Sequence, residues 1–231
     1  MKTLKTLCLG MVAAAMLLTG CNSMTNTGKG ALIGGGSGAA VGAGIGALIG
    51  GGKGAGIGAA IGTAVGAGAG TLIGNRMDKQ KKELEKSLAN ADVETVQDQN
   101  GLAAIKVTFP GGILFPTNGT TLSASAQTEL AQFAASLKQN PETNVQIFGF
   151  TDNTGGMEVN TRIANGRALS VDRFLVDSGI APTRLSYQGI PMADYVASND
   201  TPAGRAQTRR VEIYITANQQ MIQQAEQGTL K

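Results

Sequence analysis

Two side chains of opposite charge stand out by their spacing: Asp152 and, fifteen residues later, Arg167. The run Val145-Gln146-Ile147-Phe148-Gly149-Phe150 is rich in β-branched and aromatic residues and predicts a strand. It ends in Thr151-Asp152-Asn153-Thr154-Gly155-Gly156, a cluster of turn formers, so the strand delivers the carboxylate to a loop. After the glycines, Ala164, Ala168, Val171, Phe174 and Leu175 recur at helical spacing. Arg167 lies three residues after Ala164 and four before Val171, on the flank of that apolar stripe. Asn160 sits two turns earlier on the same face. An acid at a strand end and a guanidinium on the next helix can converge on one small, partly buried spot. Held apart there, they suit a zwitterion: the carboxylate takes an ammonium group and the guanidinium takes a carboxylate in a two-pronged bond. Closed on each other, they are a structural ion pair, and spacing alone leaves both arrangements open.

Holding such a pair needs a folded domain, and residues 93–217 have the pattern of one. Val93–Val96 and Ala103–Phe109 flank an Asn100-Gly101 turn and read as a hairpin. Pro110-Gly111-Gly112 turns the chain, and Ile113-Leu114-Phe115 is expected to continue as an extended strand. Ala124 to Gln139 reads as a helix with Leu130, Phe133, Ala134 and Leu137 on one face and Ser123 or Ser125 as N-cap. The central strand follows, then the helix that carries Arg167 through Ser178, with Gly179 as its C-cap. Leu185–Gly189 is a strand, Thr201–Gln207 a short helix and Arg209–Thr216 a final strand. The fold class is α+β: a β-α-β-α-β-β sandwich with helices on one face of the sheet. Residues 218–231 form a Gln-rich tail with no assigned task.

Several short motifs in this domain fall in a recognisable order. Gly149-Phe150-Thr151-Asp152-Asn153-Thr154-Gly155, Asn160, Arg167-Ala168, Gly189, Ala197-Ser198-Asn199-Asp200-Thr201 and Gly204-Arg205-Ala206-Gln207-Thr208-Arg209-Arg210-Val211-Glu212-Ile213 together resemble the OmpA-like peptidoglycan-binding domain, over roughly Leu102 to Ala217. The resemblance implies noncovalent capture of the peptidoglycan peptide stem at the free end of meso-diaminopimelate, itself a zwitterion. It implies that Asp152 and Arg167 make the grip, with supporting contacts from Asn118, Thr151, Asn160 and Arg209. The chain departs from the family pattern at Phe150 (usually His), at Ile163-Ala164 (usually Leu-Ser), at Pro116 (often an acid) and at Thr208 (usually Asn). These departures touch the hydrogen bonding around the pair and leave the pair itself in place.

The N-terminal third is of another kind. Lys2 and Lys5 precede an apolar core, Leu7 to Leu18, too short to span a bilayer comfortably, so residues 1–20 read as a targeting segment. Leu18-Thr19-Gly20-Cys21 resembles a bacterial lipobox, which implies lipidation of Cys21; an ordinary signal peptide is the alternative. Cys8 leaves with the targeting segment, so no disulfide is expected. Asn22 after the Cys implies, under the sorting rule that goes with the resemblance, the outer membrane, with the C-terminal domain in the periplasm. Residues 21–29 form a tether.

From Gly30 to Gly74 a glycine stands at every fourth position. Glycine costs about 1 kcal/mol against alanine within a helix, so such a segment needs close packing to hold it. A stripe without side chains lets two helix backbones approach, as in small-xxx-small membrane packing. Gly50-Gly51-Gly52-Lys53-Gly54 breaks the run, which predicts a hairpin of helices 31–49 and 55–73. The segment resembles a glycine zipper, with membrane insertion and homo-oligomer packing as its expected uses; a disordered spacer is the alternative. Residues 75–92, with the Asp78–Lys82 and Lys81–Glu85 pairs and only Leu84 and Leu88 as an apolar stripe, read as a solvated helical spacer.

Composition removes other classes. The chain has no His and two Cys, which leaves no raw material for His-based catalysis or zinc-type sites, and no metal or cofactor is expected. Two of the three formal positive charges leave with Lys2 and Lys5, and no basic patch interleaved with aromatics argues for nucleic acid. No nucleophile–base pair or second catalytic acid accompanies Asp152, so no enzyme is expected. Two functions stand: a lipid-anchored outer-membrane protein that binds peptidoglycan and tethers the two layers, or a membrane-active or assembly factor in which the glycine hairpin acts and wall binding only positions it.

Overall fold

The computed structural model describes residues 65–230 except Gln99 and Thr117. The expected targeting segment, Cys21, the expected tether and residues 30–64 of the expected glycine hairpin lie outside the described residues. Ordered elements begin with helix α1 (Ala67–Ser87). The hairpin β1 (Asp92–Gln97) and β2 (Ala103–Pro110) follows, then a single turn, α2 (Gly111–Leu114), and helix α3 (Ala124–Gln139). Next come β3 (Thr143–Phe150), α4 (Met157–Asp177), β4 (Leu185–Ile190), α5 (Pro202–Thr208), β5 (Arg210–Ala217) and α6 (Gln219–Glu226). The α+β architecture expected from the sequence is present.

The sheet order is β1-β2-β5-β3-β4, with only β3 and β4 parallel. The last strand thus enters the middle of the sheet, antiparallel to both neighbours. Alternation divides its residues: Val211, Ile213, Ile215 and Ala217 join the core, while Arg210, Glu212 and Tyr214 take the other face. The core face meets Leu130, Phe133 and Leu137 of α3 and Ala168, Val171 and Leu175 of α4, all in one buried cluster. Phe109 and Phe133 meet edge to face at 6.2 Å.

Capping sets the helix limits. Ser123 Oγ accepts from Ala126 N at 3.1 Å to start α3. Thr201 Oγ1 does the same for Gly204 N at the start of α5. α4 ends in a Schellman turn: Gly179 has φ +90°, Gly179 N donates to Val176 O and Ile180 N to Leu175 O. Two strand glycines bring α4 down onto the sheet. A Cβ on Gly149 would lie 2.4 Å from Ala164 O, and one on Gly189 would lie 2.4 Å from Asn165 N. The helix that carries Arg167 is therefore seated directly on strand backbone.

Three expectations are corrected. Ile113 to Phe115 does not continue a strand; Gly111 N bonds Arg209 O at 2.8 Å and a Cβ there would meet that oxygen, so the chain curls into α2 before Phe115. Residues 75–92 are not a solvated spacer. α1 runs through from Ala67 without a break at 74, and Ala69, Ile73, Met77, Leu84 and Leu88 are buried against the domain. The stripe crosses the border between glycine-rich and charged sequence, so neither segment alone displays it. Arg76 closes the seam on Glu142 at 2.9 Å, while Gln80 is buried with neither amide atom bonded. The tail also has a place: Asn218 caps α6, whose Met221, Ile222 and Ala225 are buried, and α6 packs beside α1.

The glycines at the start of α1, Gly68, Gly70 and Gly74, have open space where a Cβ would stand, so among the described residues no backbone packs closely at those three. Among the described residues, no helix is long and apolar enough to cross a membrane.

Candidate functional site

The register of β3 and β5 builds one edge of the site. Their last pair is Gly149–Val211, and the strands run in opposite directions. Beyond that pair the chain leaving β3 reaches Asp152 just where the chain entering β5 presents Arg209. Arg209 Nη1 donates to Asp152 Oδ2 at 2.5 Å. The other oxygen, Oδ1, accepts from Thr154 N at 2.9 Å, which folds the loop back on the carboxylate. Asp152 is 5% exposed. Its burial favours the neutral acid, but the Thr154 amide and Arg209 outweigh that and hold the carboxyl below its ordinary 3.8.

The facing edge is α4. Arg167 is 4% exposed. Its Nε donates to Gly119 O at 3.1 Å, and its guanidinium carbon lies 5.3 Å from the centre of the Phe115 ring. Burial lowers the Arg167 pKa, the charge of Arg209 lowers it further, and Asp152 acts in the opposite sense. Arg167 and Asp152 do not pair with each other. The ion pair that spacing left open as Asp152–Arg167 is made instead by Asp152 and Arg209. Between the two edges is a cavity of about 760 Å³, lined by both groups.

The four other expected residues also line it. Arg209 is charge-paired, as above. Asn118 adopts φ +57° at the turn that presents Gly119. Thr151 Oγ1 accepts from Met192 N at 3.0 Å, which fixes the loop after β4. Asn160 Nδ2 donates to Thr154 O and Gly156 O, so its amide nitrogen holds the Asp152 loop in shape. Two further arginines on the lining, Arg162 and Arg205, were missed. Arg205 had a usable signal, since it lies one helical turn before Arg209. Arg162 had none: five residues from Arg167, it falls on a different side of an ideal helix, and only the shape of the cavity includes it.

The other face of β5 carries a separate charged cluster. Arg210 Nε donates to Glu212 Oε1 at 2.6 Å and Nη2 to Asp194 Oδ2 at 3.0 Å, while Tyr214 donates to Glu212 Oε2 at 2.8 Å. The Arg210 guanidinium stacks 3.8 Å over Phe150. Burial and then the Glu212 charge push the Tyr214 hydroxyl far above its usual range, so it remains a donor.

The family model described as OmpA family matches residues 114–209, so over that domain the chain is similar to the OmpA-like class. A second model, described as YMGG-like Gly-zipper, matches residues 1–78. Among curated proteins, "Probable lipoprotein YiaD" of Escherichia coli K12 is 36% identical over 143 residues, which are 62% of this chain and 64% of that protein. "Peptidoglycan-binding protein ArfA" of Mycobacterium bovis is 37% identical over 113 residues, 49% of this chain and 35% of that protein. The chain thus spans less than two thirds of each of these relatives. Among solved structures, a MotB-like protein from Desulfovibrio vulgaris superposes with a TM-score of 0.54 at 23% identity, covering 65% of this chain and 96% of that one, a likeness of fold.

Proposed function

We propose that the domain at residues 93–217 binds the peptide stem of peptidoglycan without catalysis, and that the chain, lipid-anchored at Cys21 after removal of residues 1–20, tethers the outer membrane to the cell wall from its periplasmic side. One observation carries the binding: Asp152 and Arg167 face a common open cavity without closing on each other. Asp152 retains acceptor capacity beyond its bonds to Thr154 and Arg209, enough for the ammonium of a diaminopimelate end. Arg167 commits Nε to Gly119 O, which leaves its outer fork for the ligand carboxylate. Asn118, Thr151, Asn160 and Arg209 hold the two in position or line the same space. The peptidoglycan-binding name of one relative and the lipoprotein name of another support the reading.

The test is a pulldown of the protein with purified sacculi. Asp152→Ala and Arg167→Ala should each lose binding, and free meso-diaminopimelate should compete. Binding that only fades with salt and ignores the competitor would be general charge attraction and would end the proposal.

A further inference from the structure

The cavity carries more positive charge than a zwitterion needs. Arg162, Arg167, Arg205 and Arg209 line it, against Asp152 as the one carboxylate. Arg209 is paired with Asp152. Arg167 is the receptor for the carboxylate of the ligand's end. Arg205 gives Nη1 to Asn199 O at 2.7 Å and so holds the loop before α5. Arg162 remains. It is exposed, and its side chain makes no hydrogen bond, ion pair or ring contact with any described residue; Glu158, one turn before it, is not its partner. A net-neutral diaminopimelate end would leave this charge uncompensated, and the charge of Arg209 already acts against that of Arg167.

Resting on the reading above, we propose that Arg162 takes a second carboxylate of the same ligand, so that the site selects an acidic stem peptide over its amidated form. The group with suitable chemistry is the α-carboxylate of the γ-linked D-glutamate that precedes diaminopimelate in the stem. Its amide has the same shape and no charge. Arg162 lies on α4 near the mouth of the cavity lined by Arg167, so one peptide can meet both. The contact is a charge-assisted hydrogen bond at an exposed rim, which sets the expected discrimination at about fivefold.

The test is calorimetric titration of the full chain with three probes: L-Ala-γ-D-Glu-meso-diaminopimelate, the same peptide with its D-glutamate amidated, and free meso-diaminopimelate. The wild type should bind the acid peptide about fivefold tighter than the amide. Arg162→Gln should bring the two peptides to equal affinity and leave free diaminopimelate unchanged, and Arg162→Lys should restore part of the preference. Equal binding of both peptides by the wild type, or a preference that survives Arg162→Gln, overturns the assignment while diaminopimelate binding stands. Failure of all three probes to bind overturns the underlying reading together with it.

Discussion

Arg209 and Arg210 are neighbours in sequence and opposites in the fold. Arg210 is 2% exposed, and its guanidinium is bonded to Glu212, Asp194 and the Thr208 carbonyl and stacked on Phe150. The side chain of Arg209 is 39% exposed and has Asp152 as its carboxylate partner, at the rim of a cavity that also contains Arg167. Arg209 is the extended residue just before β5 and Arg210 the first of the strand, so their side chains leave on opposite sides. One face pairs its charges with one another, while the other leaves acceptor and donor capacity facing the cavity lined by Arg167. Charge alone therefore does not single out a candidate site; incomplete pairing beside a cavity does.

The closed side should be costly to disturb. Arg210→Ala leaves Glu212 buried without its cation and should lower stability by about 3–5 kcal/mol in urea denaturation. Arg209→Ala should lower it by about 1 kcal/mol or less, because Arg209 is 39% exposed and Asp152 keeps its bond to the Thr154 amide. Equal losses from the two would break the contrast. The α1 seam belongs to the closed side as well. Leu84→Ala should cost about 2–4 kcal/mol, where a solvated spacer would give nearly none. Tyr214→Phe removes one donor from Glu212 and should cost about 1 kcal/mol, with ligand affinity unchanged.

The smallest effect is in pH. The folded Asp152 carboxyl lies below its ordinary 3.8, so it is more than half ionised at that pH and loses its charge as pH falls through the lowered value. The midpoint of the loss of diaminopimelate affinity, read by titration at stepped pH, should therefore lie below 3.8. A midpoint above 3.8 would mean that the carboxyl is not held down by Thr154 and Arg209.

Much of this was legible in the chain. Periodicity placed α3 and α4, Gly179 marked the end of α4, and Asn100-Gly101 marked the β1–β2 turn. The convergence of Asp152 and Arg167 followed from a strand end and a helix flank. The Asp152–Arg209 pair did not, because it joins residues 57 apart and depends on the last strand entering the centre of the sheet. The α1 seam was hidden for another reason. Ile73 and Met77 stand on either side of a compositional border, and cutting the chain there leaves each half with too few apolar residues to form a stripe.

The most direct measurement is calorimetric titration of free meso-diaminopimelate into the wild type, Asp152→Ala, Arg167→Ala and Arg210→Lys. Saturable one-to-one binding to the wild type, lost in the first two and retained in the third, is the predicted result. Unchanged binding in Asp152→Ala or Arg167→Ala would place the ligand elsewhere and contradict the account.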